Sequence, residues 1–153
     1  MTFERLMSRA FGKESMTFWI FGPRGLTIKD VEHYLAEGGD INRRTEYGNT
    51  LLHTAADNQQ LDLVEFLIAR GADVNARGAC GYTPLHYAVD IECNTQCRPN
   101  YYSPAEFRVT KLLLQAGADD SLRDENGQTA RDVAVEYGEA ALYDLLPRRQ
   151  IPK

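Results

Sequence analysis

Three cysteines in 153 residues, Cys80, Cys93 and Cys97, are too few and odd in number for a disulfide framework, and they fit a reducing compartment better. Long apolar runs are missing. The most apolar stretch, MTFWIF at Met16–Phe21, falls far short of the about 20 residues a membrane helix needs and lacks the flanks of a signal peptide. The expectation is a soluble, cytoplasmic protein with no membrane contact. Positive charge is also in deficit: 17 Lys and Arg stand against 22 Asp and Glu, for a net charge of -5 and a pI near 5.2. With no long basic run to offset that average, a phosphate-neutralising surface is excluded and nucleic acid is not an expected partner. No glycine-rich strand-to-helix phosphate cradle, nucleophile elbow or HExxH pattern occurs. Nothing supports an enzyme, a small-molecule substrate or a cofactor.

What the chain does have is repetition. Residues 81–89 read GYTPLHYAV. Thr83 can cap a helix, and Pro84 at the first helical position gives up only a donor that had no partner. His86 falls at the third helical position, where its ring can reach back toward the cap, and Leu85, Ala88 and Val89 supply an apolar stripe. The same grammar returns at Gly48–Ala56 and, more loosely, at Gly127–Ala134, where Asp132 replaces the histidine. A second phrase, GADVN at Gly71–Asn75, is matched by GGDIN at Gly38–Asn42 and GADDS at Gly117–Ser121, each after a leucine-rich run and each opening on a helix-ending glycine. The two phrases keep register: Gly48 to Gly81 and Gly38 to Gly71 are both 33 residues, while Gly81 to Gly127 and Gly71 to Gly117 are both 46, one period with 13 residues inserted.

The TPLHYA motif, the helix-ending GADVN and the 33-residue period resemble the ankyrin repeat, a turn followed by two antiparallel helices. The resemblance covers about residues 25 to 146. It implies an all-α ankyrin-repeat solenoid of about four helix-turn-helix repeats with hairpin-like turns. Residues 1–153 are then a single domain, with an N-terminal capping segment at 1–24, repeats at 25–47, 48–80, 81–126 and 127–146, and a basic, frayed tail at 147–153. The third repeat carries an insertion at 92–102.

The N-terminal segment has two readings. Phe3, Leu6, Met7, Ala10 and Phe11 share one face of a helix ended by Gly12; strict periodicity instead puts Thr17 at the cap position and makes Phe18–Phe21 the first helix, cut short by Gly22-Pro23. Thr27 with Asp30 opens the next helix, to Glu37, with Ile28, Val31, Tyr34 and Leu35 inward. In the following repeat Leu51, Leu52, Ala55 and Ala56 line the first helix, and Leu61, Val64, Leu67 and Ile68 the second. Small residues on one helix let neighbours approach, and bulky ones on the other fill the space between layers. In the third repeat Ser103-Pro104-Ala105-Glu106 predicts an early start to the second helix, leaving Glu92 to Tyr102 as an irregular loop. The last repeat is expected to hold helices over Gly127–Glu136 and Glu139–Leu146, with Leu142, Leu145 and Leu146 inward and Glu139, Tyr143 and Asp144 toward water.

His53 and His86 occupy one repeat position, so capping explains their recurrence without any catalytic group beside them. Cys93 and Cys97, with Cys80 and His86 in the same repeat, lack the paired spacing of a zinc site, and no metal is expected. Arg44, Arg77 and Arg123 share the turn after each GADVN-like phrase, a finger position in the family where solvation and contact with an acidic partner are the two readings. The resemblance further implies that partner choice resides in the fingers and the exposed side of the first helices, which form a concave surface. Mapped here, these are Arg44, Glu46, Tyr47, Asn49, Asp57, Asn58, Arg77, Tyr82, Tyr87, Asp90, Arg123, Glu125 and Gln128. The insertion adds Glu92, Arg98, Tyr101 and Tyr102. Tyrosines beside carboxylates favour a protein partner with a basic patch. The compact acidic build is similar to bacterial ankyrin immunity proteins, which block a cognate toxin, and the expected function is non-catalytic inhibition of one partner by a chain monomeric when unbound. The alternative is a signalling adaptor or a regulatory inhibitor of an endogenous enzyme.

Overall fold

A computed structural model of the chain describes residues 2–3, 26–93 and 107–146. Of the N-terminal segment's two readings only Phe3 is described, helical and buried with its ring 5.7 Å from that of Tyr34; the rest of both readings, the Ser103–Glu106 helix start, the tail, Cys97, Arg98, Tyr101 and Tyr102 lie outside the described residues. Among the described residues there are six α-helices: α1 (Ile28–Ala36), α2 (Leu51–Asp57), α3 (Leu61–Ala69), α4 (Pro84–Cys93), α5 (Arg108–Gln115) and α6 (Ala130–Glu136). A 3-10 turn at Ala79–Gly81 precedes α4, and another at Ala140–Leu142 follows α6. The fold is an all-α solenoid.

Local chemistry sets the helix ends. Thr27 and Asp30 close a reciprocal capping box at α1, and Thr129 and Asp132 repeat it at α6. At α2 and α4 a histidine stands in for the acid: the Thr50 N–H donates to Nδ1 of His53 at 3.0 Å, and the Thr83 N–H to Nδ1 of His86 at 3.2 Å. α6 begins at Ala130 and not at Gly127, because Thr129 is the cap. At the other ends Gly38, Gly71 and Gly117 take φ of 83°, 86° and 89°, a region side chains avoid. Beyond Gly71 the Ala72 N–H returns to the Leu67 carbonyl at 3.0 Å, and Ala118 does the same to Leu113, so each leucine-rich helix ends in a Schellman motif.

Two rows result. α2, α4 and α6 pack side by side as the inner row, while α1, α3 and α5 form the outer row. α1 is thus the second helix of its repeat. Ala55, Ala56, Ala88, Val89, Ala130 and Ala134 are buried along the inner row, and Leu63, Val64, Leu67, Val109 and Leu113 fill the space behind it. Shielding is partial at the edges: Ile28, Leu35, Leu61, Ile68, Leu112, Leu114 and Leu145 are only partly buried against this core.

Polar side chains recurring at the repeat period tie one layer to the next. Oδ1 of Asn42 accepts the Asp73 N–H at 2.8 Å, and one repeat later Oδ1 of Asn75 accepts the Asp119 N–H at 2.7 Å. Nε2 of His53 lies 3.1 Å from the Tyr82 carbonyl, and Nε2 of His86 the same distance from that of Gln128. Each of these gives a partner to backbone at the edge of the neighbouring layer.

Three expectations are corrected. Glu92 is not in a loop: α4 runs ten residues, to Cys93, where α2 and α6 have seven each. α5 begins at Arg108, because Phe107 before it is left-handed (φ 37°, ψ 49°) and breaks any helix arriving from the insertion. The second helix of the last repeat shrinks to the turn at Ala140–Leu142. Leu142 and Leu146 are buried as expected, but Tyr143 is half-buried, with the Arg131 guanidinium 5.0 Å above its ring and donating to the Tyr143 carbonyl at 2.7 Å and to that of Leu146. One arginine thereby satisfies carbonyls that a longer helix would have paired internally.

Candidate partner-binding face

The finger turns project beside the inner row, each closed by its own backbone. The Thr45 N–H donates to the Asn49 carbonyl at 2.8 Å, Gly78 to Tyr82 at 2.7 Å and Asp124 to Gln128 at 2.8 Å, which gives the hairpin-like turns. The base of the second finger meets Asn49 so closely that a Cβ on Gly78 would collide with Oδ1 of Asn49.

The three finger arginines are exposed, and one guanidinium nitrogen of each is held by backbone. Nη1 of Arg44 donates to the Arg77 carbonyl, and Nη1 of Arg77 to the Arg123 carbonyl at 2.9 Å. Arg123 ends the ladder on the Gly127 carbonyl, 3.8 Å from Asp132. Beyond the solvation and acidic-partner readings of those residues, they also brace the fingers, Arg44 and Arg77 to the next finger and Arg123 to its own.

Several other expected contact residues are similarly occupied. Oδ1 of Asn49 accepts the Ala79 N–H at 2.9 Å and its Nδ2 donates to the Tyr87 hydroxyl at 3.1 Å. Nδ2 of Asn58 turns back onto the Thr54 carbonyl at 2.9 Å. Asp57 is buried, and so is not available on the exposed side of α2. Tyr82 and Tyr87 are half-buried: Tyr87 meets the His53 ring edge-on at 5.7 Å, and Tyr82 tilts against His86 at 5.3 Å. Tyr87 joins one layer to the next through His53 and Asn49, while Tyr82 packs on His86 and Tyr87 within its own repeat, so truncating either disturbs packing as well as the surface.

Glu92 departs furthest from its expected role. It is 3% exposed, and Oε2 accepts the Thr110 hydroxyl at 2.6 Å while Oε1 accepts the Val109 N–H at 3.2 Å. Phe107 supplies no side-chain cap, so the carboxylate of α4 caps α5 from across the repeat. Burial pushes its pKa up to about 7 despite these bonds. Burial likewise pushes the neighbouring Cys93 thiol up to about 12, which keeps it neutral.

What remains open on this face is Glu46, Tyr47 and Glu125, all exposed, with half-buried Tyr82, Tyr87, Asp90 and Gln128 behind them. One residue not foreseen joins them: Tyr137, at the end of α6, 46% exposed, donates its hydroxyl to Oδ1 of Asp90 at 2.9 Å. Its repeat equivalents are Asn58 and Ile91, so no recurrence marked it.

The histidines are unsuited to acid-base work. Nδ1 accepts the backbone N–H of the cap, which leaves the proton on Nε2 for the carbonyl of the next layer. Burial lowers the pKa of His53 to about 4 and also lowers that of His86. Of the cysteine set considered for zinc, Cys80 is exposed and Cys93 is buried, and His86 has both ring nitrogens engaged. No helix among the described residues is long and apolar enough to cross a membrane.

Paired helices in two rows, fingers at a constant register and histidine-capped inner helices define a repeat protein built to present a surface. Residues 34–88 match the family model for ankyrin repeats in many copies, and residues 80–125 match that of the single ankyrin repeat. The chain belongs to the ankyrin repeat proteins, whose repeats serve as protein-protein interaction modules. None of the curated proteins compared with it matches.

Proposed function

We propose that the chain binds one protein partner along its fingers and inner row and thereby blocks it, without chemistry of its own, as an immunity-type inhibitor acting in the cytoplasm. One observation carries this reading. Among the described residues Tyr47 and Tyr137 are large exposed aromatic side chains, one on a finger and one at the end of an inner helix, whereas exposed Val135 holds the position at which Ala56 and Val89 are buried against the next layer and so marks the open end of the stack. A single face that keeps its aromatic surface in water is the mark of an interaction site. The arginine and histidine ladders support it, because a surface braced in advance loses little freedom on binding. Glu46, Asp90, Glu125 and Glu136 on the same elements favour a partner with a basic patch.

Tyr47 is the side chain for the test, since it is 72% exposed, whereas Tyr82 and Tyr87 also support the fold. Tyr47→Ala is expected to weaken binding of the captured partner by about 1 kcal/mol or more while leaving the urea midpoint unchanged. Calorimetry with the purified partner reads the first and circular dichroism the second. Equal affinity in the variant removes the finger from the interface. One tight partner that loses its activity in the complex fits an inhibitor, whereas several weak partners with undiminished activity indicate an adaptor.

A further inference from the structure

Resting on that reading, the geometry points to a specific subsite: we propose that Tyr82, Tyr87, Tyr137 and Asp90 form a receptor for one arginine side chain of the partner protein. Tyr87 and Asp90 are three residues apart on α4 and share a helix face. The Tyr82 ring meets Tyr87 at 5.4 Å with the planes 71° apart, a corner that offers one ring face beside another ring's edge. Tyr137 reaches over from α6 to Oδ1 of Asp90. Among the described residues that hydroxyl is the only hydrogen-bond donor to Asp90, no Lys or Arg pairs with it, and Oδ2 accepts nothing.

The result is a half-buried carboxylate bordered by three phenols and, among the described residues, by no cation. Its charge reaches all of them: after burial, Asp90 is among the causes that raise the phenol pKa of Tyr82 and Tyr87, and it helps push Tyr137 up to about 12. A cation entering here gains both the carboxylate and the negative ring face. Arginine suits the corner better than lysine. Its planar guanidinium can lie on one tyrosine while an edge N–H reaches Oδ2, and it is more weakly hydrated than an ammonium, so it leaves water more readily.

The test is an NMR titration of the full chain with three capped amino acid amides, acetyl-arginine, acetyl-lysine and acetyl-citrulline. Saturable shifts of the Tyr82, Tyr87 and Tyr137 ring signals are expected, stronger with arginine than with lysine and absent with citrulline. Asp90→Asn, which keeps an acceptor for Tyr137, should weaken the arginine response several-fold with an unchanged melting curve. Citrulline acting like arginine, lysine binding more tightly, an unaltered response in Asp90→Asn, or no shift with any probe would each overturn the subsite. Those results leave the wider interface untouched if Tyr47→Ala still weakens capture of the partner; if both fail, the interface fails with it.

Discussion

Leu67→Ala is expected to lower the unfolding free energy by about 2 to 5 kcal/mol, the range for deleting a buried leucine whose surroundings only partly collapse. Leu67 lies in the last turn of α3 and is fully buried, and α3 packs on both α1 and α5. Its backbone carbonyl also receives the Ala72 N–H that ends the helix, so a shift of the chain to fill the void would disturb the turn at Gly71. Stacked repeats contact only their neighbours, and a short array has few interfaces over which to spread a loss. Against a typical total of about 5 to 15 kcal/mol, this is enough to leave a measurable unfolded population. Urea unfolding followed by helix signal reads it. A loss below about 1 kcal/mol would mean that α3 is far less tightly enclosed than the packing indicates.

The second large effect belongs to Glu92 and depends on pH. In the folded chain its carboxyl titrates near 7, against an ordinary value of 4.5. Folding therefore favours the protonated form. The stabilisation tied to that proton is whole below pH 4.5 and is lost as pH rises through 7, when a charge must be carried in a buried site. The span corresponds to on the order of 3 kcal/mol. His53 works in the opposite sense: its pKa falls from 6.5 to about 4 on folding, so its contribution is whole above 6.5 and is lost as pH falls through 4. The two slopes offset each other in the native protein between about pH 4.5 and 6.5, and only a difference experiment separates them. Glu92→Gln keeps an acceptor for the Val109 N–H and removes the titration. Its stability relative to the native chain is expected to climb between pH 4.5 and about 7 and to level off above that. Parallel curves for the two proteins would show that Glu92 is not titrating in the interior.

Glu92 also shows where the sequence stops being readable. The caps at Thr27, Thr50, Thr83 and Thr129 could be read directly because each depends on a partner three residues away. The period was legible for the same reason, since glycine must end each outer helix in the same left-handed geometry. Recurrence of a polar residue, by contrast, says that a position is constrained and not by what. Arg44, Arg77 and Arg123 recur because each guanidinium serves the backbone of a neighbouring layer or its own finger, and a surface contact would have produced the same pattern. Glu92 became structural through two distant events, the extra length of α4 and the uncapped start of α5. Tyr137 sits in the copy that departs most from the motif, and its pairing with Asp90 spans 47 positions. Residues whose roles cross layers are the ones a single-chain reading misplaces.

Hydrogen exchange of the complex with its captured partner tests the central claim most directly. Binding along the fingers and inner row predicts slower exchange over residues 44–49, 77–90, 123–128 and around Tyr137, with the outer helices α1, α3 and α5 unchanged. Protection confined to those outer helices, with the fingers exchanging as they do in the free protein, would contradict it.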